Sequence, residues 1–286
     1  MSAAKKAIRK ESNRTGALNP SHTSAPSSGS LPKGKGGKSR SGKGRSTSGT
    51  RRKGGATARP AQDPIQRARD LVVEACHTLS ALGYLAGIGG NVALRIDHRM
   101  AVTPSAADYF SMKPEDICIL DLHSLEALSG QRSPSVESGL HAAFFQNRSD
   151  IVASVHTHQP LASAMALLDQ FIPLLEQEEV DALGDRVPVV AYGPSGTGML
   201  VRAFRKSVSP SRNGYLLRNH GVICGASTME GAIQNVRILE KAAARYLESG
   251  IRDNAGRGRI ANPALLDEVL ESLRPYKSAR IQAGSA

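Results

Sequence analysis

The chain has 286 residues, with 37 Lys and Arg against 25 Asp and Glu, and a formal net charge of +12 at pH 7. Its length is enough for one sizeable hydrophobic core and short for two. The charge is uneven, because residues 1–62 contain fifteen basic residues and one acid, Glu11, whereas residues 63–286 contain 22 basic and 24 acidic residues. Only residues 1–62 therefore carry the net positive charge that nucleic-acid binding needs.

No stretch approaches the roughly 18–20 apolar residues of a membrane-spanning helix, and the first residues lack the apolar centre of a secretory signal. We therefore expect a cytoplasmic protein with no membrane partner. Cys76, Cys118 and Cys224 lie far apart in apolar segments, which predicts buried free thiols and no disulfide framework.

Residues 1–62 contain ten Gly, eleven Ser and no aromatic residue. A segment of this composition buries too little apolar surface to offset the entropy of ordering it, which predicts a disordered tail. Three interpretations stay open for its basic run: a solvated tail, a nucleic-acid-binding arm, or an organelle-targeting segment.

Beyond the tail, helical and strand patterns alternate in one predicted α/β domain over residues 63–286. Apolar residues recur every three or four positions from Ile65 to Leu82, which predicts an amphipathic helix that Gly83 ends. Strands are predicted in NVALRI, MAVTP, ICILDL, IVASVHTH, VPVVAY, GYLLRNH and VICG, and helices in VESGLHAAFFQNR, LASAMALL, GMLVRAFRKSV, EGAIQNVRILEKAAARYLESG and PALLDEVLESLR.

Three histidines stand out at strand ends. His156 and His158 are two residues apart in IVASVHTH, a spacing that puts both side chains on one face of a strand, roughly 6–7 Å apart. His220 is predicted to end a second buried strand in LLRNHG, and Gly221 after it permits close backbone approach. Three neutral imidazoles with an open fourth position match the ligand count of a catalytic zinc site.

Glu137 precedes a predicted helix in PSVESGLH, so its carboxylate either stabilises the start of that helix or serves the site. His141, one turn later, is expected to be a hydrogen-bonded core histidine instead of a fourth ligand. The loops GIGGNV, which contains Asn91, and TPSAADY, which contains Thr103 and Ser105, suit an anion but are also common as plain turns.

Taken in order, these segments resemble the class II aldolase/adducin family, which includes fuculose-phosphate aldolase and ribulose-phosphate epimerase. The resemblance runs from about residue 65 to residue 278, and its most specific part is the series of an acid, the HxH pair and NHG. It implies a three-layer α/β/α domain around a mostly antiparallel sheet. It also implies a homotetramer with active sites between subunits.

The resemblance implies roles for individual residues. His156, His158 and His220 match the zinc ligands, and Glu137 matches the catalytic acid/base. Three residues fall where aldolases hold the substrate phosphate, and Tyr276 falls where a C-terminal tyrosine reaches an active site. The three phosphate positions are Asn91, Ser105 and Ser135.

These roles predict an aldehyde-lyase that acts on a sugar phosphate or a related hydroxy-ketone through a metal-stabilised enediolate. Epimerases of the family carry Asp in place of Glu137, and adducin-type members lack the metal histidines, so both features favour an aldolase. At four positions the sequence departs from the aldolase pattern, and these departures weaken the case for a phosphorylated substrate. The rival interpretation is a decarboxylase of a β-keto or hydroxy acid. The departures are Ala93, Ala106, Val136 and Gln177. A rival of another class is a nucleic-acid-associated protein acting through its tail.

Overall fold

The structure is a computed structural model that describes residues 63–85, 89–260 and 262–277. The tail predicted over residues 1–62 lies outside the described residues. Seven α-helices of the described residues surround a central sheet. They are α1 (Pro64–Ala81), α2 (Ser138–Asn147), α3 (Pro160–Leu167), α4 (Gln177–Leu183), α5 (Gly198–Ser207), α6 (Met229–Gly256) and α7 (Leu266–Lys277).

The central sheet has eight strands in the order β4-β3-β2-β1-β5-β10-β9-β8, and all neighbours are antiparallel except β8 and β9. A separate pair, β6 and β7, forms a small antiparallel ribbon. The strands are β1 (Asn91–Ile96), β2 (Arg99–Val102), β3 (Cys118–Asp121), β4 (Ala127–Ser129), β5 (Ala153–Thr157), β6 (Ile172–Pro173), β7 (Arg186–Val187), β8 (Val189–Val190), β9 (Gly214–Leu217) and β10 (Gly221–Ala226).

Buried side chains divide into two cores, one on each face of the sheet. Alternate residues of each strand point to opposite faces, so on β1 Val92 and Leu94 join the core under α1, α3 and α6, whereas Ala93 joins the core under α2 and α5. This confirms the predicted three-layer α/β/α arrangement around a mostly antiparallel sheet.

Most predicted elements are present. The first helix ends at Ala81, and Gly83 takes the left-handed backbone conformation, with φ of +73°, that reverses the chain. All three cysteines are buried and free, as predicted. No helix among the described residues is long and apolar enough to cross a membrane.

Two predicted strands differ from the structure. VPVVAY splits at Pro188, which has no N–H for a ladder; β7 pairs with β6, and β8 joins the central sheet. The second strand ends at Leu217, so the prediction that His220 ends it is wrong: His220 lies in the turn before β10, and Asn219 takes the positive φ of that turn.

Candidate metal centre

β5 brings the HxH pair to the middle of the sheet. His156 lies within β5 and pairs with Asn91 on β1 and with Ile223 on β10. His158 follows β5 by one residue and is therefore close to His156 on the same face of the chain. His156 is fully buried. Its Nδ1 lies 2.7 Å from the carbonyl oxygen of Val222, so Nδ1 carries the proton and Nε2 keeps a free lone pair.

The β9–β10 turn adds His220 to the pair. Gly221 follows it, and a Cβ at this position would lie 2.5 Å from the oxygen of Thr157 and 2.6 Å from Cδ2 of His158. Only glycine lets β10 approach this closely. The sequence prediction of close backbone approach at Gly221 is therefore confirmed, although the turn and not a strand end carries His220.

The three imidazole rings lie against one another, with centroids 4.8 to 5.0 Å apart. One potential ligand atom from each ring lies within 4.8 Å of the other two. Nε2 of His158 is 3.1 Å from Nε2 of His156, and Nδ1 of His220 is buried with no hydrogen-bond partner among the described residues. Ring nitrogens that converge in this way fit a bound divalent cation.

Glu137 faces this cluster. It is the N-cap residue of α2, but its side chain makes no capping hydrogen bond. Its Oε2 lies 3.2 Å from Nε2 of His156, and its Oε1 lies 3.1 Å from Nε2 of His220. The geometry therefore favours a role at the site over the alternative of helix capping.

Neighbouring groups in the cluster shift the pKa values of Glu137, His158 and His220. Burial raises the pKa of Glu137, but the close approach of His156, the hydrogen bond from Ser195 and the nearby His220 outweigh burial and hold the pKa well below its usual range. Burial, with the neighbouring His156 and His220, lowers the pKa of His158 to about 4. Burial also lowers the pKa of His220. A neutral imidazole is the form that binds a metal, so both shifts favour metal binding at neutral pH.

Asn91 connects the carboxylate to the core. Its Nδ2 donates to Oε2 of Glu137 at 2.9 Å, and its Oδ1 accepts from Nε2 of His141 at 2.6 Å. Nδ1 of His141 lies 2.8 Å from Oγ of Ser154. His141 is thus a hydrogen-bonded core histidine, as predicted.

The three residues expected at a phosphate lie on adjoining segments. The N–H of Ser105 donates to Ser133 at 2.9 Å, and the N–H of Ser135 donates to the carbonyl of Thr103 at 3.0 Å. Oγ of Ser135 accepts from the N–H of Glu137 at 3.2 Å. Asn91 and Ser135 therefore lie beside Glu137, and Ser105 lies on the segment that hydrogen-bonds to the residues before Ser135.

Tyr276 is half-buried on α7, and no hydrogen bond joins it to the histidine cluster within the described part of the chain. Gln177 begins α4, a helix that sequence analysis missed. Sequence analysis also missed Ser195, whose Oγ donates to Oε1 of Glu137 at 2.7 Å. It lies in a Gly-Pro-Ser-Gly turn with no pattern that distinguishes it from a plain loop.

Known proteins resemble the whole described domain. A family model described as Class II Aldolase and Adducin N-terminal domain matches residues 70–247. A 5-deoxy-D-ribulose 1-phosphate aldolase of Bacillus thuringiensis serovar kurstaki is 33% identical over 206 residues, which cover 71% of this chain and 92% of that protein. A 5-methylthioribulose-1-phosphate/5-deoxyribulose-1-phosphate aldolase of Rhodospirillum rubrum is 29% identical over 210 residues, or 72% of this chain and 90% of that protein.

A solved structure supports the same relationship. An L-fuculose 1-phosphate aldolase matches with a TM-score of 0.60 and 26% identity, over 73% of this chain and 96% of that one. The chain belongs to the class II aldolase and adducin family. Within that family it is an aldolase-type lyase.

Proposed function

We propose that this protein is a divalent-metal-dependent aldolase that cleaves a carbon–carbon bond in a ketose 1-phosphate or a related hydroxy-ketone. The observation that carries the proposal is the convergence of three imidazoles and the Glu137 carboxylate at one point of the sheet. The two aldolase relatives, both named for ketose 1-phosphates, support the substrate class.

His156, His158 and His220 are the residues that would hold the ion. Zinc is the first candidate because three neutral nitrogen ligands with an open position are typical of catalytic zinc, and other divalent ions are alternatives. A bound divalent cation supplies positive charge beside the carbonyl and hydroxyl oxygens on which negative charge builds up as the bond breaks.

Glu137 is proposed to move the proton at carbon. In cleavage, the aldehyde-side hydroxyl gives up its proton as its oxygen becomes the aldehyde carbonyl, and the electron pair of the broken bond stays on the ketone fragment. Glu137, after taking up a proton from solvent, donates it to the carbon that holds this electron pair. In synthesis, the ionised carboxylate removes the same proton. The proposed partner at the aldehyde-side hydroxyl is Tyr276, supplied by a neighbouring subunit.

Substrate binding follows from the neighbouring segments. Asn91, Ser105 and Ser135 are proposed to lie at the substrate phosphate, on the side of the cluster where Glu137 lies. A homotetramer is proposed as the assembly, and the proposed role of Tyr276 needs at least two of its subunits to meet at the site. Any nucleic-acid partner is proposed to bind through residues 1–62 alone.

A second candidate is decarboxylation of a β-keto or hydroxy acid. Val136, beside Ser135, is an apolar residue with 68% of its surface exposed, and it offers no hydroxyl to an anion. Decarboxylation needs the same stabilised negative charge, with carbon dioxide leaving in place of the aldehyde. The fold and the histidines serve both reactions.

The test combines metal analysis with a substrate comparison. Purified protein is assayed for bound metal and for turnover of ketose 1-phosphates and of β-keto acids. His156→Ala is expected to abolish both metal content and turnover, whereas His123→Ala, a change at an exposed histidine in the turn after β3, leaves both intact. Turnover of the acids alone would remove the aldolase proposal, and full metal content in His156→Ala would remove the metal centre.

A further inference from the structure

The carboxylate of Glu137 is held from two sides. Nδ2 of Asn91 donates to Oε2 at 2.9 Å, and Oγ of Ser195 donates to Oε1 at 2.7 Å. Each oxygen also lies beside one imidazole, Oε2 near His156 and Oε1 near His220. The two hydrogen bonds therefore fix both oxygens of the carboxylate, and removal of one leaves the side chain free to rotate about the other.

The two donors differ in their surroundings. Asn91 is only 4% exposed and is itself held by His141. Ser195 is exposed and lies on the loop between β8 and α5. One oxygen of Glu137 is thus held by the core, and the other is held by a surface loop.

Close contacts on each side of Ser195 hold this loop in place. A Cβ on Gly193 would lie 2.5 Å from the backbone nitrogen of Leu200, and a Cβ on Gly196 would lie 3.2 Å from Cβ of Val136. Gly196 also has φ of +70°, which favours glycine. The Ser195 hydroxyl is therefore presented to Glu137 by a loop that packs tightly against its neighbours.

We propose that Ser195 is a positioning residue for the proton-transfer step: its hydroxyl keeps the Glu137 carboxylate directed at the histidine cluster. This inference rests on the proposed function of Glu137. A hydrogen bond to a charged carboxylate is among the stronger protein hydrogen bonds, and small displacements of a catalytic group slow reactions steeply. Loss of the hydroxyl is expected to slow proton transfer by about tenfold or more.

The probe for this step is dihydroxyacetone phosphate, the ketone fragment that cleavage of a ketose 1-phosphate between its third and fourth carbons leaves. With no aldehyde present, the enzyme removes a proton from the hydroxymethyl carbon of the probe and returns a deuteron from heavy water, which NMR measures as hydrogen exchange. The rate reports proton transfer without carbon–carbon cleavage. Exchange is compared in the wild type, Ser195→Ala, Ser195→Thr and Ser207→Ala.

Ser207→Ala is the matched control, because the Ser207 hydroxyl donates only to the carbonyl of Ala203 in the last turn of α5. We expect exchange at saturating probe to fall about tenfold in Ser195→Ala, with little change in KM, and to stay near the wild-type rate in Ser195→Thr and Ser207→Ala. Wild-type exchange in Ser195→Ala overturns the inference. An equal fall in Ser195→Ala and Ser195→Thr also overturns it, because the hydroxyl would then not be the cause.

A second readout separates this inference from the proposed function. The visible absorption spectrum of the Co2+-loaded protein responds to groups around the ion, so Ser195→Ala is expected to change it and Ser195→Thr to preserve it. If the wild type does not exchange the probe, the proposed substrate class fails. The cobalt spectra then decide on Ser195, and identical spectra for the wild type and Ser195→Ala overturn the inference.

Discussion

Replacing Gly221 by alanine tests whether the close approach of β10 to β5 sets the geometry of the histidine cluster. The new Cβ would lie 2.5 Å from the oxygen of Thr157, 2.6 Å from Cδ2 of His158 and 3.3 Å from Cε1 of His156. Ordinary contact begins at 3.4 Å, so the His158 ring must move about 0.8 Å away from the turn that carries His220.

This displacement is large on the scale of metal coordination. Ligand distances in metal sites hold to about 0.2 Å, so a shift several times larger breaks or distorts one ligand bond. We expect the affinity for Zn2+ to fall by about 10- to 100-fold or more, in the range found for damage to residues that orient ligands. Overpacking costs about 1–3 kcal/mol of stability, which leaves a protein of ordinary stability folded.

The affinity is measured by competition with a chromophoric zinc chelator, and the free energy of unfolding by urea denaturation in the presence of chelator. Gly250→Ala is the matched control, since Gly250 is exposed within α6 and a Cβ there meets no heavy atom within 4 Å. This control should keep its zinc affinity and gain about 0.5–1 kcal/mol of stability. A folded Gly221→Ala protein with wild-type zinc affinity would refute the reasoning.

Three further predictions concern stability and the tail. Ala106 has φ of +50°, so Ala106→Gly should relieve about 1–2 kcal/mol of left-handed backbone strain and lose part of that gain to the larger entropy of the unfolded chain. The variant protein should therefore unfold at a higher urea concentration, with a net gain in the free energy of unfolding near 0.5–1 kcal/mol. An unchanged urea midpoint contradicts this prediction. Burial, with the nearby His156, lowers the pKa of His141 to about 3 in the folded protein. Below pH 6.5, His141 therefore binds a proton in the unfolded chain but stays neutral in the folded protein. The free energy of unfolding should therefore fall by about 2 kcal/mol more in the wild type than in His141→Gln between pH 7 and pH 5, and equal losses count against it. Deletion of residues 1–62 should leave turnover and zinc content intact and remove any salt-sensitive nucleic-acid binding, and lost turnover shows that the tail serves catalysis.

The fold was largely predictable because the spacing of apolar residues along the sequence matches the faces that the helices and strands bury. The helix that begins after Asp63 and the strands around His156 have clear periods of 3.6 and 2. The missed helix α4 carries a recognisable start, since Glu176 and Glu179 form a capping box, and Gly184 ends it. The short ribbon of β6 and β7 has two residues per strand, too few for any periodic signal.

The three histidines and Glu137, which the structure brings together, were all singled out from the sequence, whereas their contacts were less predictable. The spacing of His156 and His158 points to a shared face from sequence alone. The position of His220 depends on a tight turn with Asn219 at positive φ, and strand patterns do not specify where such a turn starts. The bond between Ser195 and Glu137 joins residues 58 positions apart, and only the packing of the sheet brings them together.

The separation of the histidines along the chain also bears on synthesis. A growing chain that has emerged only as far as β5 presents two imidazoles, and the third arrives more than sixty residues later with the β9–β10 turn. Two ring nitrogens on an incomplete sheet bind a cation weakly. Tight binding of the ion therefore requires β10 to have paired with β5. Partly made or truncated chains would therefore not hold the proposed ion tightly, and it would become attached only to molecules whose central sheet is complete.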